Sequence, residues 1–525
     1  MPRLGACALA VALVAAACGG GSSGGSGGNG KTKSGGVIRY GYDFDAQFTG
    51  TFDSSKSNGD CDQIITTLIY DTLVHRNLKG ELLPGLAERW QIDRPGNKIE
   101  IWVRKGVQFS DGAPLDGQAV INGLDTLKTN PQLTSVGLIK DMALDPADKM
   151  HVIINYKDNT GIQLVYAMTG RDGMIMSTSS IIDKTADQHP VGAGPFVLAS
   201  YEKGAKASLR PNPNYWDKGN SYKFGGIDFT KVGTGPPTIT ALQAGQLDFI
   251  RLETDGAKGL QKDPKFKVIV QPSGAYLQLE FRTHTIDGKP TVFAKKLVRE
   301  AITIGIDRDR INQAAQQGFG EVTDQPFPPS SPVHDKSLDG YWKHDVNKAK
   351  DLLKQAGYPN GFTFEVVIPG GGIANMEHQV VELQQQLKQI GITAKVVRIL
   401  ASEIATGYYT SQTGDAFAAA ELGSNFPGGS LNSNYSTGEY VATYDGNENA
   451  DITRLMKDAM SQTDIAESVK LARQANKIAV TEALDVPIAF MPQLNAYVAS
   501  KISGPITAQD DICNPPDLSH ITVSP

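Results

Sequence analysis

The sequence predicts an α/β fold, and the clearest indication is a strand–helix–strand unit in its second half. Residues 375–390 are amphipathic at helical spacing, and residues 362–368 and 392–399 on either side have the apolar character of strands. The apolar stripe of the predicted helix comprises Val380, Leu383, Leu387 and Ile390. A unit of this kind joins parallel neighbouring strands by a right-handed crossover.

Further strands and helices are predicted on both sides of this unit. The strands lie at residues 37–40, 98–103, 150–156, 276–281 and 486–498. The helices lie at residues 64–73, 120–127, 238–244, 295–306, 348–356 and 465–480, with residues 83–90 a turn into one more short helix and residues 41–52 a loop.

The first 36 residues are typical of an export signal followed by a tether. Arg3 is basic, residues 8–17 are apolar, and Cys18 follows three alanines. Because a membrane-spanning helix needs about 20 apolar residues, residues 1–17 are predicted to be a cleaved signal peptide. The run Ala15-Ala16-Ala17-Cys18 resembles the lipobox of bacterial lipoproteins, although Ala15 stands where leucine is usual. That resemblance implies lipidation of Cys18, and the alternative is an ordinary signal with an incidental cysteine.

Residues 18–36 are then a tether rich in glycine and serine, a composition that cannot bury a core. The 525 residues carry a net charge of −6, which becomes −7 when Arg3 leaves with the signal. Such a mildly acidic chain argues against binding to nucleic acid or to an anionic membrane surface. After Cys18 no apolar run is long enough to cross a bilayer.

Two cysteines remain for a structural role once Cys7 and Cys18 are set aside. Cys61 and Cys513 would both lie outside the cytosol, where disulfides persist. We predict a Cys61–Cys513 disulfide, which would tie the front of the mature chain to its tail. The alternative is two separate buried thiols.

A series of short motifs, in a consistent order, resembles one protein family. They are Tyr70-Asp-Thr-Leu-Val74, residues 83–90, residues 104–115, Gly192-Ala-Gly-Pro195, Asn212-Pro-Asn-Tyr-Trp216, residues 241–248, residues 298–307 and residues 349–358. The family is the extracytoplasmic solute-binding proteins of ABC importers, in the peptide/nickel-binding group known as family 5. The resemblance covers about residues 37–500, and most of the motif residues are expected to be scaffold rather than ligand contacts.

The resemblance implies a two-lobe clamp of the periplasmic-binding-protein type (class II) with an extra subdomain. Lobe I would comprise residues 37–272 and 488–525, with residues 81–189 as the added subdomain, and lobe II would comprise residues 273–487. Hinge closure would enclose a ligand between the lobes for delivery to an ABC permease in the membrane. The chain would then be a monomeric receptor and not an enzyme, with no catalytic residue, metal or cofactor.

The sequence departs from the family where dipeptide-binding members hold the two ends of their ligand. In those members a Gly-Trp-x-x-Asp segment supplies an Asp for the ligand's amino terminus, whereas here Leu422 and Asn425 stand at the Trp and Asp positions. They also place an Arg for the ligand carboxylate in a loop that matches residues 369–372, which hold none. Because an unpaired desolvated charge costs several kcal/mol, a free dipeptide is disfavoured. A longer peptide, a modified peptide or a glycoside fits better.

Side chains on both lobes are predicted to line the pocket. Glu421 is a candidate partner for a ligand cation and Arg282 for a ligand anion, although each is equally well explained as a solvated surface charge. Aromatic residues would give contact area and amides would fix orientation, with lobe packing as the alternative role of Tyr42 and Phe44. The predicted set is Tyr42, Asp43, Phe44, Arg282, Glu421, Asn425, Phe426 and Gln493.

Motifs of other function classes are weak. A Gly-x-Ser-x-Gly pattern at residues 20–24 lies in the tether, without the strand and helix that a nucleophile requires. Gly370-Gly371-Gly372 lacks the Lys-Ser/Thr of a nucleotide-binding loop, and the histidines have no metal-ligand spacing. The alternatives left open are an oligosaccharide or other polar uncharged ligand, a sensor or envelope regulator of the same fold, and an extracytoplasmic hydrolase.

Overall fold

The computed structural model describes residues 35–525 except for short gaps. The gaps are residues 58–59, 78, 94–96, 234, 286, 371–373, 401–402, 422–423, 425, 437–449 and 508–515. Cys18, Asn425 and Cys513 therefore lie outside the described residues, and the predicted lipidation and the Cys61–Cys513 bond stay predictions. In the described part of the chain, no helix has the length and apolar character needed to span a membrane.

Strands and helices are mixed along the described part of the chain. The strands are β1 (Val37–Tyr42), β2 (Val74–Arg76), β3 (Leu82–Pro84), β4 (Ala87–Asp93), β5 (Lys98–Val103), β6 (Ile139–Asp145), β7 (Asp148–Tyr156), β8 (Phe196–Glu202), β9 (Lys206–Pro211), β10 (Gly226–Lys231), β11 (Phe249–Leu252), β12 (Phe266–Phe281), β13 (Glu321–Val322), β14 (Thr363–Gly370), β15 (Thr393–Leu400), β16 (Ala416–Glu421), β17 (Asp485–Val498), β18 (Ile502–Ser503) and β19 (Thr522–Val523).

The helices follow the same numbering, and a π-helical segment covers Ala405–Thr410. They are α1 (Phe44–Gln47), α2 (Gln63–Ile69), α3 (Gly117–Leu127), α4 (Thr134–Gly137), α5 (Gly161–Ala167), α6 (Thr178–Asp183), α7 (Pro236–Gln243), α8 (Thr254–Gln261), α9 (Lys296–Gly305), α10 (Arg308–Gln316), α11 (Val346–Gln355), α12 (Ala374–Gln389), α13 (Gly429–Tyr435), α14 (Ala450–Met460) and α15 (Ile465–Thr481).

One large sheet runs through the molecule in the order β15-β14-β16-β12-β17-β11-β1-β10-β9-β8, and β13 pairs with β17. Two parts of it are parallel: β14 pairs in parallel with β15 and β16, and β1 pairs in parallel with β10 and β11. The edge formed by β10, β9 and β8 is antiparallel. The predicted strand–helix–strand unit is thus confirmed as β14–α12–β15, with its strands in parallel register from Thr363↔Thr393 to Gly370↔Leu400. A mixed sheet with helices between parallel strands is the predicted α/β class.

The two central strands, β12 and β17, join the two lobes. They pair antiparallel from Phe266↔Val498 to Glu280↔Asp485, with register shifts between Pro272 and Tyr276 and between Leu277 and Gln278. A register shift bends a strand pair locally. The first half of β12 pairs with the part of β17 that also pairs with β11 of lobe I, and its second half lies between β17 and β16 of lobe II.

Separate apolar clusters support the two lobes. The lobe I cluster includes Tyr40, Phe52 and Phe229, whereas the lobe II cluster includes Leu277 and Leu279 from β12. A third cluster fills the subdomain whose sheet has the order β4-β5-β7-β6. The exact lobe boundaries given above stay predictions.

The predicted short helix at residues 83–90 is wrong. Leu82–Pro84 and Ala87–Asp93 are strands, and Ala87–Asp93 pairs antiparallel with Lys98–Val103. Pairing with a neighbouring strand decides the conformation of such a short stretch, because local propensity is a weak determinant. The loop predicted at residues 41–52 likewise contains the one-turn helix Phe44–Gln47.

Candidate functional site

Side chains from the end of β1 pack into lobe I. The Tyr42 and Phe44 side chains are 1% and 3% exposed, and their rings meet edge to face at 4.9 Å between centroids. The Tyr42 hydroxyl donates to the backbone carbonyl of Cys61 at 3.3 Å. Asp43 is half-buried, and its carboxylate accepts from the backbone N–H of Asp45 at 3.1 Å. Tyr42 and Phe44 therefore contribute to the aromatic packing of the lobe I cluster.

Amide side chains occupy the lobe I end of the crossing strands. Gln271 lies opposite Gln493, and Asn495 lies opposite both Ile269 on β12 and Arg251 on β11. Gln493 and Asn495 are buried, whereas Gln271 is half-buried and donates to the Ile506 carbonyl at 3.1 Å. Among the described residues, the Asn495 Nδ2 and Gln271 Oε1 atoms have no hydrogen-bond partner. We call Gln271, Gln493 and Asn495 the amide end.

Acidic and phenolic side chains occupy the lobe II end. Alternate residues of a strand share one face, so Tyr276, Gln278 and Glu280 project on the side opposite the core residues Leu277 and Leu279. Neighbouring strands add two carboxyls to this face, since Glu421 lies opposite Tyr276 and Asp485 lies opposite Glu280. We call Tyr276, Glu280, Glu421 and Asp485 the acidic end.

Burial raises the pKa values of all three carboxyls of the acidic end. The pKa of Glu280 rises to about 8, mainly because burial penalises its charge and secondarily because Glu421 is nearby. Burial and the charge of Asp485 raise the pKa of Glu421 to about 7. Burial likewise raises the pKa of Asp485 to about 6. At neutral pH the protein therefore holds these groups close to their titration points.

Hydrogen bonds satisfy only part of the acidic end. The Tyr409 hydroxyl donates to Glu280 Oε2 at 3.2 Å. In the described part of the chain, the Tyr276 hydroxyl, Gln278 Oε1 and Glu280 Oε1 have no hydrogen-bond partner. Buried polar atoms without protein partners are uncommon in folded proteins, and these atoms remain able to bond to a ligand or to water.

Arg282 is directed into lobe II. Its guanidinium donates to the Tyr408 carbonyl at 2.6 Å and to the Gly414 carbonyl at 3.2 Å, and it lies 4.4 Å from the centre of the Tyr408 ring. The side chain is 3% exposed. Its predicted contact with a ligand anion stays a prediction, since the backbone of lobe II already engages two of its N–H groups.

Phe426 links lobe II to the subdomain. It is 6% exposed and packs edge to face on Tyr166 of α5 at 5.7 Å. Both rings border the contact between α5 and the helices α13–α15, and Phe426 also lines a cavity of ≈ 490 Å³ together with Gln163 and Ser424. The neighbouring Asn425 lies outside the described residues.

The structure thus brings some predicted residues together and adds others. Gln493 lies at the amide end and Glu421 at the acidic end of the same strand pair, whereas Tyr42, Phe44 and Arg282 pack within single lobes. Sequence reasoning missed Tyr276, Glu280 and Asp485. The signal was present, because residues 276–281 alternate between polar and apolar side chains within a predicted strand.

The site offers hydrogen bonding and charge. Among the described residues, no group of three or more His, Cys, Asp or Glu side chains is arranged to hold a metal ion. The amide and acidic ends can supply both donors and acceptors to a polar ligand.

Comparisons with known proteins agree on one family. The sequence model of the bacterial extracellular solute-binding proteins, family 5, matches residues 81–441. The glutathione-binding protein GsiB of Shigella flexneri serotype 5b is 26% identical over 360 residues, which is 68% of each chain. Di/tripeptide-binding protein 1 of Pseudomonas aeruginosa is 26% identical over 445 residues, which cover 78% of this chain and 80% of the relative.

A solved structure shows the same fold. The periplasmic binding protein DppA of Helicobacter pylori in complex with the peptide STSA superposes with a TM-score of 0.70 at 21% identity, covering 94% of this chain and 99% of DppA. The two-lobe clamp is therefore the fold of this chain.

Proposed function

Because this chain belongs to the family 5 bacterial extracellular solute-binding proteins, which serve ABC importers, we propose that it is a lipid-anchored receptor for a peptide or peptide-like ligand. It captures the ligand between its lobes and delivers it unchanged to a permease in the membrane. The protein acts on the outer face of the cytoplasmic membrane, held there by lipid on Cys18 and by the tether of residues 18–36.

The observation that carries this proposal is the set of incompletely bonded polar groups along β12 and β17. Asn495 Nδ2 is a donor, whereas Gln271 Oε1, Gln278 Oε1 and Glu280 Oε1 are acceptors, and none has a partner within the described ranges. A peptide backbone offers N–H and C=O groups in alternation. An extended peptide along the two strands would therefore satisfy both kinds of group. The names of relatives such as the glutathione-binding and di/tripeptide-binding proteins support the same ligand class.

The mechanism is closure of the lobes about the crossing strands. The register shift between Pro272 and Tyr276 gives the strand pair a point at which it can bend. A ligand that contacts both lobes binds the closed form more tightly than the open form, and it shifts the equilibrium by that difference in affinity. The closed form is then the state that the permease recognises.

A polar uncharged ligand such as an oligosaccharide is the second candidate. The amide end favours it, because Gln493 and Asn495 are buried neutral groups that suit hydroxyl ligands as well as amides. A role as sensor or envelope regulator would keep the fold and the capture step but would not include transport.

Two measurements test the proposed ligand class. Native mass spectrometry of purified protein would reveal a retained ligand, and thermal shifts would compare trialanine and tetra-alanine with maltotriose. We expect the peptides to raise the melting temperature and maltotriose to leave it unchanged. Stabilisation by maltotriose alone would replace the peptide proposal with the second candidate.

The anchor has its own test. Cys18→Ala should move the protein from the membrane fraction to the soluble fraction, whereas Cys7→Ala, inside the predicted signal, should leave it in the membrane fraction. If the Cys18→Ala protein stays with the membranes, the proposed lipid anchor is wrong, although ligand capture would be unaffected.

A further inference from the structure

Lysines gather at one end of the lobe I strands. β1 begins at Val37 beside the start of β10 at Gly226, and β12 begins at Phe266 beside the end of β17 at Val498. β1 is parallel to β10 and β11, and β17 is antiparallel to β11 and β12, so these strand ends lie at the same end of the sheet. Five neighbouring strands make this end about 19 Å wide. The lysines on or next to these strand ends, which we call the lysine rim, are Lys223, Lys262, Lys265, Lys267 and Lys501.

Backbone contacts join the lysine rim to the point where the tether meets the folded unit. That unit begins at residue 35. The Ser524 N–H donates to the Lys501 carbonyl at 2.9 Å, and the residue before Ser524 accepts from the Gly36 N–H at 2.9 Å. The Gly36 carbonyl in turn accepts from Gly225, two residues after Lys223, at 2.9 Å. Lys223 and Lys501 therefore lie on either side of the start of the folded unit.

The lysine rim carries positive charge that the described structure leaves largely unpaired. Four of its lysines are exposed, and none of these four makes an ion pair with another described residue. Lys501 is half-buried, and its Nζ donates to the Pro525 oxygen at 2.6 Å. Two half-buried acids lie nearby along the chain, Asp263 and Asp517, and each accepts a backbone N–H. Positive charge therefore exceeds negative charge at this end of the sheet.

The rim departs from the charge of the chain as a whole. The mature chain carries a net charge of −7, which weighs against a general attraction to anionic surfaces. The tether that leads into the rim is different, because residues 18–36 contain Lys31 and Lys33 and no acid. Along the chain, the basic tether is thus followed directly by the residues that contact the rim.

We propose that the lysine rim binds anionic phospholipid headgroups of the membrane that carries the lipid anchor, an inference that rests on the proposed anchoring at Cys18. Charge complementarity is one argument, since each lysine that reaches an anionic bilayer surface raises affinity roughly fivefold. The length of the tether is the other. A flexible segment rich in glycine and serine, such as residues 18–34, has an r.m.s. length of about 23 Å. The rim therefore stays within reach of the bilayer.

The composition of the rim favours a membrane over a nucleic acid. Arg39, an arginine of β1 at the same end of the sheet, is already paired with Asp248 at 2.6 Å. The rim itself consists of lysines, which are flexible, strongly hydrated point charges without the bidentate geometry of arginine. Such side chains suit mobile single phosphates better than a fixed phosphate pattern.

Contact at the rim would orient the receptor. β12 runs from the rim at Phe266 to Phe281, where it lies beside the lobe II strand β16. Lobe I would therefore face the bilayer and lobe II would point away from it. A lipid chain and a basic patch together hold a protein on a membrane more firmly than either does alone. Lobe II would remain free to close over a ligand.

The test is co-sedimentation of the mature chain from residue 18, carrying Cys18→Ala so that no lipid contributes, with phospholipid vesicles. Vesicles of phosphatidylcholine with about 30 mol% phosphatidylglycerol are compared with vesicles of phosphatidylcholine alone, at about 50 mM and about 300 mM NaCl. We expect the protein to sediment with the anionic vesicles at the lower salt concentration and to be released at the higher one, because salt screens exposed charges. It should not sediment with phosphatidylcholine alone.

Substitutions locate the contact. The triple variant Lys262→Gln/Lys265→Gln/Lys267→Gln should bind the anionic vesicles roughly tenfold or more weakly. The matched control removes the same charge from exposed positions on α11 and should bind like the unsubstituted chain; it is Lys348→Gln/Lys350→Gln/Lys354→Gln. All six side chains are exposed, so both variants should keep the melting temperature of the unsubstituted chain.

Three results would overturn the inference. Equal weakening by the two triple variants would mean that overall charge, and not the lysine rim, decides binding. Binding to phosphatidylcholine alone, or binding that survives the higher salt concentration, would mean that the contact is not electrostatic. Binding to soluble polyglutamate without binding to anionic vesicles would exclude the membrane as the occupant.

The vesicle test is independent of the proposed anchor, because the chain that it uses carries no lipid. If the anchor is wrong, the Cys18→Ala protein remains in the membrane fraction of cells, whereas the vesicle result does not change. Washing those fractions with about 300 mM NaCl removes any contribution of the rim to the fractionation. Failure of the lysine rim and failure of the proposed anchor are thereby distinguished.

Discussion

Strands β12 and β17 carry different chemistry at their two ends. At the amide end, Gln271 lies opposite Gln493, and at the acidic end Glu280 lies opposite Asp485. The backbone pairing is the same antiparallel ladder, but amides do not titrate, whereas burial raises the pKa of Glu280 to about 8. One strand pair can therefore offer a ligand groups that do not titrate at the lobe I end and groups that titrate near neutral pH at the lobe II end.

The largest effect is expected from placing an acid at the amide end. Gln493 is 3% exposed, so in Gln493→Glu a carboxylate would be buried away from water. We expect a loss of about 3 kcal/mol or more in unfolding free energy at pH 8 and a smaller loss at pH 5, where the new carboxyl is protonated. Urea unfolding at both pH values measures this difference.

Gln246→Glu is the matched control for this substitution, because Gln246 is exposed. It should change stability little at either pH. An equal loss for Gln493→Glu at pH 5 and pH 8 would show that burial at the amide end does not raise the pKa of the new carboxyl, which would contradict this prediction.

Removing an acid from the acidic end should have a smaller effect of opposite sign. The ordinary pKa of a glutamate is 4.5, and burial raises that of Glu280 to about 8. The folded protein therefore keeps a proton that the unfolded chain loses, and stability without ligand falls as the pH rises from about 4.5 to about 8. Glu280→Gln should raise the melting temperature by several degrees at pH 8 and hardly at all at pH 4.5.

Differential scanning calorimetry of ligand-free protein across this pH range checks the prediction. The exposed substitution Glu365→Gln should leave the pH profile of the wild-type protein unchanged. A Glu280→Gln profile parallel to that of the wild type would mean that Glu280 ionises in the folded protein as it does in the unfolded chain.

The smallest effect is expected at the hydrogen bond that the acidic end does make. Tyr409→Phe removes the hydroxyl that donates to Glu280 Oε2 at 3.2 Å. The loss should be about 1 kcal/mol at pH 8. The pKa of Glu280 should rise further, because this hydrogen bond favours its charged form. Chemical denaturation at pH 8, with the exposed Tyr341→Phe as control, measures the difference, and equal stability of the two variants would contradict the role given to Tyr409.

The local sequence pattern was sufficient to predict an element where that element is long or regularly periodic. The β14–α12–β15 unit was predictable because one apolar stripe on a 16-residue helix between two apolar runs has few other solutions. The stretch at residues 83–90 was not predictable in the same way. Its strands form because they pair with neighbours such as β5. The sequence of one short segment does not show which strand it will pair with.

The site shows the same division. Residues 276–281 had the alternation of a strand, so the sequence implied that Tyr276, Gln278 and Glu280 share one face. It could not state that Asp485, more than 200 positions later along the chain, would lie opposite Glu280. Arg282 illustrates the reverse: its charge indicated a ligand contact, which stays a prediction, and the structure adds that the Tyr408 and Gly414 carbonyls accept from two of its N–H groups.

By itself, the sequence determined the α/β class and the family motifs, because each depends on residues close together along the chain. Only the tertiary structure decided which polar side chains are buried and face each other at the crossing of β12 and β17. Burial and charge proximity arise when distant strands pair, and they set the pKa values of Glu280, Glu421 and Asp485.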